Sequence, residues 1–117
     1  EANLCQRLGS SFTLSDNVAV PTDVSVSLYW PVATVFGVSL KYSLYRGTTP
    51  DITTGTIDLV MNSSECLAYA DYQTTTINPG VLFYGAVSGG SAFLQYTTTP
   101  TGQDATLVID SIKERTY

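Results

Sequence analysis

Alternation of apolar and polar residues with a period of two runs through much of this chain, and it limits the possible folds before any motif is sought. From Val24 to Val32 the even positions are Val24, Val26, Leu28, Trp30 and Val32, with Ser25, Ser27, Tyr29 and Pro31 between them. Val38 to Leu44 repeats the pattern, with Val38, Leu40, Tyr42 and Leu44 on one face and Ser39, Lys41 and Ser43 on the other. Successive side chains of a β-strand point to opposite faces, so such runs build half-buried strands. No comparable stretch keeps the 3.6-residue period of a helix. The 29 Thr and Ser residues, with Lys and Glu scarce, favour pleated surfaces over helices. The chain is expected to be all-β.

Eight strands are expected, at Ser11–Leu14, Val24–Val32, Val38–Arg46, Gly55–Met61, Cys66–Ala70, Val81–Val87, Ala92–Thr97 and Ala105–Lys113. Turn residues separate them: Ser15-Asp16-Asn17, Gly47 to Asp51, Asn62-Ser63-Ser64, Asn78-Pro79-Gly80, Ser88-Gly89-Gly90 and Pro100-Thr101-Gly102. Ser88-Gly89-Gly90, between two aromatic-rich runs, is the strongest hairpin signal. Short strands joined by short loops make a sandwich, a jelly roll or a closed barrel. The 117 residues suffice for one domain, expected over residues 10–117. Residues 1–9 lack alternation and read as an arm or linker. The chain opens on Glu1 rather than Met, as a fragment or a processed form does.

With 44% hydrophobic and 13% charged residues, the chain is not of the disordered class. A net charge of -5 without a basic stripe argues against nucleic acid as a partner. No apolar run approaches the roughly 18 residues of a spanning helix, so no membrane insertion is expected. Histidine is absent, which removes the commonest general base and most zinc chemistry. Asp16, Asp23, Asp51, Asp58, Asp71, Asp104 and Asp110 are scattered and form no calcium-loop pattern. A carboxylate pair meeting across a sheet for glycoside hydrolysis is the enzymatic alternative, against which solvated surface acids are the simpler reading. The expectation is a non-enzyme with no catalytic residue, no metal and no cofactor. Asn62-Ser63-Ser64 is a formal glycosylation sequon in a turn. The eight Tyr and Trp30 mostly fall on apolar strand faces, which favours core or interface over a sugar-stacking platform.

A sandwich needs one apolar face per strand, yet the C-terminal half carries two. Val81, Phe83 and Val87 alternate with Leu82, Tyr84 and Ala86; Leu107 and Ile109 alternate with Val108 and Ile112. Such strands are buried on both sides or present a patch to a partner. A subunit interface on one sheet is expected, with irregular core packing as the alternative. Two cysteines remain, Cys5 in the arm and Cys66 in a strand. A Cys5–Cys66 bridge would close a loop of about 60 residues and contribute about 4 kcal/mol in the chain-entropy model. A cross-link from Cys5 to a neighbouring subunit, or two free thiols, are the other arrangements. Neither cysteine has a basic neighbour to activate it as a nucleophile.

The segments VSLKYSLYRGTTPDITTGTI, AYADYQTTTINPGVLFYGAVSGGSAFLQY and ATLVIDSIKE form an ordered set. It comprises a strand ending Leu-Tyr-Arg-Gly-Thr-Thr, a Pro-Gly before an aromatic hairpin, and a closing Leu-Val-Ile-Asp-x-Ile strand. The set resembles the C-terminal globular domains of bacterial collagen-like exosporium surface proteins, which belong to the tumour-necrosis-factor-like jelly rolls. The resemblance covers roughly Val38 to Glu114. It implies a jelly-roll sandwich of about 8–10 antiparallel strands that forms a homotrimer through one sheet, on a cell, spore or virion surface. It implies Leu82, Tyr84, Leu94, Tyr96, Val108 and Ile112 at the subunit interface. No Gly-X-Y repeat is present, and a cysteine on a short arm is not a hallmark of that family. Self-assembling spore appendage subunits do carry cysteine-bearing arms, so a filament subunit cross-linked through Cys5 is the first alternative. A receptor- or glycan-binding fibre head of a virus or phage is the second.

Overall fold

A computed structural model of the chain describes residues 10–46, 51–74 and 80–117. Nine strands are present among them: β1 (Ser10–Leu14), β2 (Thr22–Asp23), β3 (Tyr29–Pro31), β4 (Val35–Arg46), β5 (Asp51–Met61), β6 (Cys66–Thr74), β7 (Val81–Ser88), β8 (Ser91–Thr98) and β9 (Ala105–Thr116). All pairings are antiparallel. One sheet runs β1-β9-β4-β5-β6. In the second, β2 and β3 share one edge of β8 and β7 takes the other. The fold is an all-β, jelly-roll-like sandwich. First and last strands pair in one sheet, β2 and β3 pair with the penultimate strand in the other, and β4-β5-β6 forms a meander between them.

The core follows the alternation. Leu40, Leu44, Ile57, Leu59, Leu107 and Ile109 of the larger sheet are fully buried. Ala92, Leu94 and Tyr96 of β8, with Trp30 of β3, face them from the smaller one. Burying each large aliphatic side chain contributes roughly 1.5–3 kcal/mol, so the rows facing inward hold the two layers together. The β7–β8 hairpin turns on Gly89 and Gly90, both with positive φ (59° and 80°), between the paired Ser88 and Ser91. Two consecutive positive φ values are what a two-residue hairpin with right-handed strand twist demands, and glycine adopts them without steric cost.

The expected strand Val24–Val32 is not continuous. Asp23 pairs with Gln95 and Tyr29 with Phe93, so Ser25–Leu28 leaves the ladder as a turn closed by Leu28 N–H on the Ser25 carbonyl. Val24, Leu28, Trp30 and Val32 are buried, but Val26, at the tip of the turn, is 84% exposed. β9 departs from regularity as well. Tyr42 pairs with Ile109 and Lys41 with Ser111, which leaves Asp110 as the extra residue of a β-bulge.

Candidate interaction surface

The outward face of the smaller sheet is built in cross-strand rows. Ala86 of β7, Phe93 of β8 and Tyr29 of β3 form one; Tyr84, Gln95 and Asp23 form the next; Leu82 and Thr97 form the third. Leu82 is 59% exposed and Tyr29 51% exposed. The Tyr29 and Phe93 rings lie 5.9 Å apart. The polar members of the face bond to one another: Gln95 Nε2 donates to Asp23 Oδ1 at 2.8 Å, and Thr97 Oγ1 lies 3.4 Å from the Tyr84 hydroxyl. What faces solvent is therefore an aromatic and aliphatic stripe whose polar neighbours are already partnered.

A second apolar patch lies on the outer face of the larger sheet. Val60 of β5 pairs with Leu67 of β6, and Tyr69 follows two residues along β6; all three are at least 60% exposed. The two patches flank one seam. β6 and β7 are edge strands of different sheets, and they meet where Gly85 packs on Cys66. A Cβ added to Gly85 would stand 2.6 Å from Cys66 Sγ and 2.8 Å from the Cys66 carbonyl oxygen, so only glycine allows this approach. Leu67 follows Cys66, and Tyr84 and Ala86 flank Gly85. The exposed apolar surface thus borders the seam on both sides.

The six residues expected at an interface do not form one face. Leu82 and Tyr84 lie on the outer face of the smaller sheet as expected of a surface patch. Leu94 (0% exposed) and Tyr96 (4%) are instead core residues of the same sheet, because Leu82 pairs with Thr97 and Tyr84 with Gln95. The Tyr96 hydroxyl accepts the Ser15 N–H inside the chain. Val108 is half-buried on the outer face of the larger sheet, beside Ser43. Ile112 pairs with Leu40 and so shares its inward side, since the bulge at Asp110 reverses the alternation between Val108 and Ile112. Phe93 and Tyr29 complete the outer patch and were not anticipated. The signal was Phe93 alternating with Leu94, but alternation alone does not tell which face turns inward.

Cys66 carries a free, buried thiol on the inner side of β6, and burial raises its pKa. That environment opposes both thiolate chemistry and cross-linking in the folded chain. Cys5 lies outside the described residues. The side-chain oxygen of Asn62, in the glycosylation sequon, accepts the N–H groups of Ser64 and Glu65 and so shapes the β5–β6 turn.

The densest polar cluster is structural. Arg46, whose side chain is 3% exposed, donates through Nε to the Gln103 carbonyl (2.9 Å) and through Nη2 to Asp16 Oδ1 (2.6 Å) and the Thr99 carbonyl. The Asp16 carboxylate also accepts the N–H groups of Thr101 and Gly102. The Thr101 N–H first, then that of Gly102 and the Arg46 guanidinium, hold the Asp16 carboxyl below its ordinary 3.8 against an opposing desolvation. The cluster ties the β1–β2 and β8–β9 connections to the end of β4. Among the described residues, no three or more Cys, Asp or Glu converge in a metal-binding arrangement. No helix among them is long and apolar enough to cross a membrane.

Comparison with family models, characterised proteins and solved structures gave no match.

Proposed function

We propose that the chain is a non-enzymatic assembly domain of a cell-, spore- or virion-surface protein, forming a homo-oligomer through the outer face of its smaller sheet. The observation that carries this reading is the outward stripe of Leu82, Tyr84, Phe93 and Tyr29, with Leu82 and Tyr29 exposed and Tyr84 and Phe93 half-buried, on a sheet whose other face already makes the core. Tyr and Phe are enriched at interface centres, where rigid rings bury large areas at small entropic cost. A closed trimer is the form proposed first. The patch of Val60, Leu67 and Tyr69 supports a filament subunit as the second reading, because two different apolar surfaces on one chain permit head-to-tail contacts that do not close.

The test is sedimentation equilibrium of the native chain beside Phe93→Glu and Leu67→Glu. Dissociation to monomer by Phe93→Glu alone supports the closed oligomer. Loss of large species by either substitution supports the filament. An oligomer untouched by both removes the sheet face from the account.

A further inference from the structure

Among the described residues, a cavity of about 560 Å³ lies between the two layers of the sandwich and opens to solvent. Tyr42 and Leu44 of β4 and Ala70 of β6 line it from the larger sheet, Val81 and Phe83 of β7 from the smaller one, and Val18 from the β1–β2 connection. Its size falls in the range of small-molecule sites, roughly 300–1,000 Å³. Val81, Phe83, Ala70 and Val18 lie against the core yet stay only partly buried. They are core-type side chains with one side left uncovered. The Tyr42 and Phe83 rings meet edge to face, 5.5 Å between centroids, and give the cavity an aromatic wall.

Charge decides what this cavity accepts. Among the described residues, no Asp, Glu, Lys or Arg lines it, and none of these offers an ionised ligand compensation for lost hydration. The threonines at its margin are already engaged. Thr98 Oγ1 donates to the Ser15 carbonyl and accepts the Val18 N–H, and Thr99 Oγ1 faces Arg46 Nη1. Selection by shape and apolar contact is left. We propose that this cavity is a binding site for a neutral, predominantly apolar small molecule carrying a flat ring system that packs against Tyr42 and Phe83. The cavity lies mainly against the inner faces of β6 and β7, while Leu82 and Thr97, the last row of the outer stripe, also line it.

Titration with the neutral fluorophore 6-propionyl-2-dimethylaminonaphthalene tests the proposal on the full chain. The expected result is saturable, blue-shifted emission with one site per chain. Ala70→Phe and, independently, Val81→Phe fill the space and should weaken binding by about tenfold or more, with melting temperature held or raised. Leu67→Ser and Tyr29→Ser, on the outer patches, should leave binding unchanged. Either filling variant suffices if the other fails to fold. Absence of saturable binding overturns the proposal, as a cavity closed by the chain itself would. Binding that survives both filling variants, or that follows the outer-face substitutions, also overturns it.

Discussion

Arg46 shows how one side chain secures the loop end of the sandwich. It is the last inward-facing residue of β4, and its guanidinium spans three carbonyl or carboxylate acceptors from two separate connections. Arg46→Ala removes a buried guanidinium whose acceptors lie at the solvent-accessible loop end and should lower stability by about 1–2 kcal/mol, read from the denaturant midpoint. Asp16 adds a pH dependence. Its folded pKa lies below the ordinary 3.8, so its contribution is complete above that value and is lost as pH falls through the folded pKa. An acid-unfolding series should therefore show stability declining below about pH 4, with a shallower decline in Asp16→Asn. The reverse slope in the wild type would remove Asp16 from the clamp. Cys66 makes the opposite point: burial keeps it unreactive. Peptide-level mass mapping after brief iodoacetamide treatment should find Cys66 unmodified in the folded chain and alkylated once it is unfolded.

At the scale of the element, the β6–β7 seam sets the sharpest steric limit. Gly85→Ala places a methyl group against both Cys66 Sγ and the Cys66 carbonyl, and a cost of about 2 kcal/mol is expected. Adding Cys66→Ala should recover only part of that loss, because the carbonyl contact remains; full recovery in the thermal midpoint would show that the sulfur alone is responsible. The strands themselves were largely readable. β4 and β8 alternate in burial, β7 spans the expected apolar run, and Gly89-Gly90 marks its hairpin by chemistry. Two features were hidden for definite reasons. The excursion at Ser25–Leu28 inserts four residues, an even number, so Val24 and Trp30 keep the same inward side and the strand reads as unbroken. The bulge at Asp110 inserts one, which puts Val108 on the outer side of the sheet and Ile112, still 37% exposed, on the side of Leu40, although both are even-numbered. A slip of one residue exchanges the faces of a strand; the resemblance implied Leu94 and Tyr96 at the interface, and the register that pairs Tyr84 with Gln95 turns them inward.

For the whole molecule, the question is what covers the outer stripe. The two apolar faces of the C-terminal strands pointed to more apolar surface than one core needs, but which half of it was spare depended on pairing. β7 and β8 are apolar on both sides, so the stripe became definite only with the register Tyr84–Gln95 and Ala86–Phe93. A single acidic domain that leaves Leu82 and Tyr29 exposed and Tyr84 and Phe93 half-covered gains by burying them against copies of itself. Light scattering after size exclusion, in non-reducing buffer, tests that claim most directly. The account predicts a particle of about 38 kDa, three times 12.6 kDa, that falls to the single-chain mass in Phe93→Glu. A wild-type particle of 12.6 kDa across the accessible concentration range would contradict it.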